Sequence, residues 1–341
     1  MREGGGRNHG GVAARRAGIF GLVAVLVSGC TAGAGEAGTS RPLRIMAASG
    51  EGAVLFDPAT GAMSGHLRSG GRAWQDRESA ESGANVTCVA RCPDVAVSQT
   101  PADERPAMAP FLLTGKGRSP FAVSAAERAH VLSARSVTDA VVEEADGSGH
   151  SWIRVARPGG TDRVKAGHRG YQWVESTDGN VGFAFPWRAE KPASYLLRFV
   201  RGADGWRLST SAAKTVAEAC VAVAIADRGE CVTGDRAAAV VTRSMDGQGG
   251  FATTVRGLGP DGRIAWRREF ATEAGVTAHP TGPSIGISDG DTFTLLDPGG
   301  RTVRERSGVM AARFTPQGEL VLLSPTGEVE WLPAGSIERT L

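Results

Sequence analysis

The side chains able to do chemistry are five cysteines, six histidines, two tyrosines and one serine–aspartate stretch that occurs twice. Cys88 and Cys92 form one close pair, Cys220 and Cys231 another, and Cys30 stands alone after an apolar run. A thiol can cross-link, bind metal or act as a nucleophile, and spacing decides among these. No histidine adjoins either pair and the intervals are not zinc intervals, so no metal site is expected. His9, His66, His130, His150, His168 and His279 include no pair at i,i+2 or i,i+4, and each is expected on the surface or in a turn. No Gly-x-Ser-x-Gly elbow, phosphate loop or His-Glu-x-x-His helix is present. Tyr171, in "RGYQWVE", is expected to fill the core rather than to serve as a nucleophile. No catalytic residue is assigned, no cofactor is expected, and the expectation leans away from an enzyme.

The elements that position these groups read as strands. Glycine makes up 48 of 341 residues, about twice the usual ~7%. Short runs such as "LRIMAAS", "GAVLFD", "DAVVEEA", "SWIRVAR", "TFTLLD" and "GELVLLS" alternate with turn signals such as "DPATG", "TDGN", "PDG", "SDGD" and "PQG". Each turn supplies an Asp or Pro to start it and a Gly for positive φ. "CVAVAIADRGEC" reads as a hairpin closed by its own cysteines. Three pairings of the four cysteines are possible, and the local one, Cys88–Cys92 with Cys220–Cys231, is expected. A helix over 124–135 competes with a strand there, and the proline-rich "TPADERPAMAP" (100–110) reads as an inserted loop.

Short strands over some 300 residues without a linker exceed a two-layer sandwich of roughly 100 residues and suit a β-propeller. At about 40–45 residues per blade this gives about seven blades, with six or eight in range. The last run, "GEVEWLP" (327–333), is expected to complete the blade begun by "LRIMAAS" and so remove a free edge. The seven tryptophans are dispersed, as for one packing residue per blade.

Residues 1–29 are set apart as a leader. Arg2, Arg7, Arg15 and Arg16 precede the apolar run Ala17–Val27, which is too short for a ~20-residue span. It ends "VSGC", which resembles a bacterial lipobox. The resemblance implies cleavage before Cys30, a diacylglyceryl thioether on that residue, and anchorage at the outer face of the plasma membrane. Arg15-Arg16 leaves the export route open between two systems. Residues 30–41 read as a lipidated flexible tether and 42–341 as the propeller. The leader holds four of the 38 Lys+Arg and one of the 36 Asp+Glu, so the remainder carries 34 basic and 35 acidic side chains. A net charge near −1 argues against nucleic acid. Scarce lysine with abundant Arg, Ala and Gly reads as the codon bias of a high-GC, actinobacterial-type genome.

"STDGNVGF" (176–183) and "SMDGQGGF" (244–251) share Ser-x-Asp-Gly-(Asn/Gln)-x-Gly-Phe, with a poorer copy at Asp146–Trp152. The pattern resembles a degenerate Asp-box (BNR) repeat of sialidase-like propellers. That resemblance implies turn-closing roles for Ser176, Asp178, Ser244 and Asp246, and packing between strands for Phe183 and Phe251. "DPATG" (57–61) and "GPDGRIAWRRE" (259–269) look instead like turns of quinoprotein or WD40-type blades, although the tandem tryptophans that would hold a quinone are absent. The expected role is a non-catalytic binding or scaffold module at the cell surface, with an unknown protein or glycan partner. The alternatives are a glycan-binding or glycan-active sialidase-like propeller, which needs an Arg/Tyr/acid cluster at a channel mouth, and a lyase or redox propeller, which needs a His or metal cluster there.

Overall fold

The computed structural model describes residues 43–77, 84–99, 109–121, 128–145, 150–176, 180–186, 189–210, 215–245 and 251–341. The leader, the tether, Cys30, most of 100–110, Asp178 and Asp246 lie outside them. The strands form seven antiparallel sheets. Blade 1 comprises β1 (Arg44–Ala48), β2 (Gly52–Asp57), β3 (Ala62–Leu67) and β4 (Arg72–Asp76). Blade 2 comprises β5 (Ala84–Cys88), β6 (Val95–Gln99), β7 (Phe111–Thr114) and β8 (Gly117–Pro120). Blade 3 comprises β9 (Arg128–Ser136), β10 (Asp139–Ala145), β11 (Ser151–Arg157) and β12 (Gly160–Ala166), and blade 4 comprises β13 (Tyr171–Glu175), β14 (Val181–Pro186), β15 (Leu197–Gly202) and β16 (Gly205–Ser209). Blade 5 follows a helix, α1 (Val216–Asp227), with β17 (Glu230–Thr233), β18 (Ala238–Met245), β19 (Phe251–Leu258) and β20 (Ile264–Phe270). Blade 6 comprises β21 (Gly275–Ala278), β22 (Ile285–Asp289), β23 (Thr292–Leu296) and β24 (Thr302–Ser307). Blade 7 has three strands, β25 (Ala311–Phe314), β26 (Leu320–Leu323) and β27 (Val329–Leu332), before a short terminal helix, α2 (Ile337–Thr340).

The first strand of each sheet contacts the first strand of the next, and β25 returns to β1. That closed cycle makes the molecule a seven-bladed β-propeller, with the first strands lining the channel. One apolar cluster fills each of the seven blade interfaces among the described residues. Period-2 alternation supplies both faces of each sheet: in β23, Phe293 and Leu295 face blade 7 while Leu296 turns towards blade 5.

Closure differs from the expectation. β27 pairs with β26 in its own sheet, from Leu320↔Leu332 to Leu323↔Val329, and does not join β1. β1 pairs with β2 on one edge and lines the channel with the other. The ring is therefore closed by packing, and the closing cluster is small: Ala48, Ala53 and Val321, flanked by Ile45, Val329 and Trp331. Polar ties supplement it, with Arg313 Nη1 donating to Met46 O at 2.9 Å and Gly50 N to Gln317 Oε1 at 3.0 Å.

The "CVAVAIADRGEC" stretch is a second correction. Its first half belongs to α1, not to a strand. Thr215 caps the helix by accepting from Glu218 N at 3.1 Å, and five alanines favour the helical state. Ala217, Cys220, Val221 and Ala224 form the buried stripe at i, i+3, i+4, i+7. Arg228 ends the helix in the left-handed region at φ 54°. The cysteines still pair, Cys220 on α1 with Cys231 on β17 at a Cα separation of 5.8 Å, and Cys88 pairs with Cys92 across a tight turn at 5.1 Å. Residues 128–136 are strand β9, so the strand reading prevails there over the helix.

The tryptophans are not one per blade: blade 4 holds both Trp173 and Trp206, and blades 2 and 6 hold none among the described residues. They reveal another echo. Trp74 on β4 lies opposite Gly65 on β3, and Trp266 on β20 lies opposite Gly257 on β19, each pair followed by a register shift. A Cβ on either glycine would enter the facing indole ring closer than real Cβ atoms approach. Gly257→Ala is expected to cost about 1–3 kcal/mol through overpacking, read as a lowered denaturation midpoint at unchanged m-value.

Candidate functional site at the channel mouth

Antiparallel connectivity sorts the turns onto two faces. Turns joining first to second and third to fourth strands lie on one face; second-to-third turns and blade-to-blade connections lie on the other. Cavities open among the first-to-second turns. The one at the channel mouth, about 750 Å³, is lined from blades 1, 2, 3, 4 and 7 and includes Ser49, Glu51, Arg68, Arg91, Arg135, Glu175, Gln317 and Glu319. Among the described residues, two further cavities are lined mainly by turns of the same face, and another lies between α1 and turns of blades 4 and 5.

The charges at the mouth are mostly paired. Arg68 Nη2 lies 2.7 Å from Glu319 Oε1, and Arg91 pairs with Glu51. Glu175, at the end of β13, is different. Its carboxylate accepts from Trp173 Nε1 at 3.1 Å and from Ser133 Oγ at 3.4 Å, and its backbone oxygen accepts from Thr233 Oγ1 at 3.0 Å. Burial pushes its pKa above the ordinary glutamate value; the Trp173 hydrogen bond, Arg201, Arg135 and Ser133 oppose that rise without cancelling it. Arg135 is exposed and has no hydrogen bond or ion pair among the described residues.

A different cluster is closed to solvent. Glu143 on β10 is fully buried and accepts from Gly170 N at 2.8 Å, Tyr171 N at 2.9 Å and Ser151 Oγ at 3.3 Å, with His130 Nδ1 at 3.5 Å. It joins three strands of blade 3 to the start of blade 4. His130 is thus a buried strand residue and not a surface or turn histidine. Tyr171 is buried in the same blade interface, where burial first and the Glu143 charge second push its phenol up. Tyr195 precedes β15 on the opposite face, so no tyrosine lines the mouth among the described residues. Among those residues no group of three His, Cys, Asp or Glu is placed to hold a metal ion. His66 and His279 are half-buried and burial lowers the pKa of both.

The two serine–aspartate stretches do not occupy equivalent places. Residues 176–183 span the first-to-second turn of blade 4, whereas 244–251 span the second-to-third turn of blade 5, on the other face. Ser176 closes its turn, Oγ accepting from Val181 N at 2.9 Å. Phe183 is fully buried, but Phe251 is 43% exposed and faces Met245 across the hairpin, so it does not pack between strands. Sequence reading missed Arg135, Glu175, Arg201 and Glu143; they sit in ordinary strand contexts and carry no motif.

The sequence matches no protein-family model, and no curated protein matches it. Among solved structures the chain is similar to the β-propeller domain of Cps50 (Swd1) from Myceliophteria thermophila, at 11% identity and TM-score 0.44, covering 86% of this chain and 97% of that one. It is also similar to the WD40 β-propeller domain of Doa1, at 12% identity and TM-score 0.38 over 85% and 92% of the two chains. A third similarity is to apo AztD from Citrobacter koseri, at 9% identity and TM-score 0.38 over 85% of each chain. The closed ring of seven sheets, and not these likenesses, carries the fold assignment.

Proposed function

We propose that the protein is an exported lipoprotein, held by a diacylglyceryl group on Cys30, whose propeller is a non-catalytic binding module for a protein partner. The observation that carries the reading is the segregation of the two faces. The mouth cavity and the cleft beside it open among first-to-second turns, while the chain enters β1 on the opposite face, where Leu43 lies beside Gly327 in the β26–β27 turn. Two acyl chains are enough for stable anchorage, where one is marginal. Mutually paired charges at the mouth and apolar walls beside them suit recognition better than proton transfer.

Two measurements test it. Cys30→Ala is expected to release the protein into the medium or to leave an uncleaved precursor, and unchanged membrane retention refutes the anchor. A photo-crosslinking residue placed at Gln317 is expected to trap a partner in intact cells, whereas one at Thr326 on the opposite face is not. Equal trapping from both positions, or none from Gln317, overturns the binding-face assignment.

A further inference from the structure

A second cleft, about 540 Å³, opens between blades 3 and 4 and shares Arg135 with the mouth. Arg135 and Asp139 flank its blade 3 side, Asn180 comes from the first turn of blade 4, and Arg201 with the Gly202–Gly205 turn completes it. The Arg201 side chain is only 7% exposed. Its Nη2 lies 2.5 Å from Asp139 Oδ2, its guanidinium lies 4.8 Å from the Trp206 ring centroid, and Nη1 is buried without a hydrogen-bond partner. Arg201 is thus paired with Asp139, whose Oδ1 is also buried without a partner, while Arg135 carries no ion pair among the described residues. Among the described residues Glu175 also feels both arginines, and its carboxylate is engaged by Trp173 and Ser133.

We propose that this cleft binds an oxyanion, the carboxylate or phosphate group presented by the partner of the cavity face. The inference rests on the binding-module reading and adds the chemistry of recognition. Arg135 is the contacting group: its planar fork matches a carboxylate or phosphate in two parallel hydrogen bonds. Arg201 is the positioning charge. Asp139 and Trp206 hold it rigid, so it loses little freedom on binding, and burial strengthens its field at the cleft. Asp139 spends one face of Arg201 but leaves Arg135 untouched.

Among the described residues the charged groups lining the cleft are Arg135 from β9, Asp139 from β10 and Arg201 from β15, and Glu175 from β13 lines the adjoining mouth. Asp204 in the adjoining turn is held by Arg207 at 2.6 Å and Arg157 at 3.4 Å. Burial raises the pKa of Glu175, and Arg135 lies within its field. As pH falls through that pKa its negative charge is lost, and anion binding is expected to tighten.

The experiment is calorimetric titration of the full mature protein in detergent with succinate, inorganic phosphate or sulfate, against chloride at matched ionic strength. Saturable heat with at least one oxyanion is expected, with affinity falling about 10-fold or more in Arg135→Gln, the size expected for a lost charge-assisted pair, and less in Arg135→Lys. Preference for succinate assigns a carboxylate ligand; preference for phosphate and sulfate assigns a phosphate group. Sulfate, which does not titrate in this range, reads the pH dependence. Arg135 is exposed, so its variants test the site without disturbing the core. No saturable binding, or equal binding by Arg135→Gln, overturns the proposal. Anion binding without Gln317 crosslinks would instead sink the binding-face reading and leave the oxyanion site standing.

Discussion

Glu143→Ala is expected to destabilise the propeller by about 3–5 kcal/mol, the range for breaking a buried charged network by removing one partner. The carboxylate is wholly buried and accepts from two backbone N–H groups and one hydroxyl. Alanine would leave Gly170 N, Tyr171 N and Ser151 Oγ in a dry interface with no acceptor, and each stranded group costs about 1–3 kcal/mol. His130 would lose its neighbour at 3.5 Å as well. Glu143→Gln is expected to fall between, since its amide oxygen accepts while its amide nitrogen presents a donor to other donors. Denaturant unfolding of the three proteins measures this directly. A Glu143→Ala midpoint equal to that of the parent would show that the network contributes nothing. Because Glu143 bridges blade 3 to the start of blade 4, the loss should also speed amide exchange in β13.

The paired substitution Cys220→Ala with Cys231→Ala is expected to cost about 3 kcal/mol, and Cys88→Ala with Cys92→Ala about 2 kcal/mol, from the loop lengths that each bridge closes in the unfolded chain. The first loop spans 11 residues of separation and the second four. The larger bridge also fastens α1 to β17, a helix further held by Glu218 to Arg198 on β15 and Asp227 to Arg256 on β19. Unfolding under oxidising and reducing conditions checks the order: reduction should shift the midpoint of the parent and leave that of the quadruple variant in place. A larger shift from the Cys88–Cys92 pair would contradict the loop-length account.

The strand texture was readable because it is local. "GAVLFD", "DAVVEEA" and "SWIRVAR" are short apolar or alternating runs bounded by Asp, Pro and Gly, and they are β2, β10 and β11. The helix α1 is hidden in the sequence for a physical reason: its run is apolar on most sides, so neither period stands out. The one signal was the capping pattern Thr215-x-x-Glu218, three residues of spacing against a strong expectation of strand. The apparent repeat at 176–183 and 244–251 records turn chemistry, which recurs wherever a hairpin needs it. The echo that does recur at the same place in a blade is Gly65 with Trp74 and Gly257 with Trp266, where an absent side chain makes room for an indole across the strands.

By itself the sequence determined the all-β class, the scale of about seven blades, the local disulfide pairing and the expectation of a lipid-modified Cys30. These depend on residues near one another along the chain. Tertiary structure alone decided that the ring closes by packing without a shared strand, that a cavity opens at the mouth among the first-to-second turns, and that Arg135 and Arg201 come close to Glu175. More than thirty arginines look alike in sequence, and these three charged residues lie on separate strands of two blades. Only the register of each sheet and the angle between neighbouring blades bring Arg135 and Arg201 to one cleft with Glu175 beside it, and neither quantity is encoded within any short stretch.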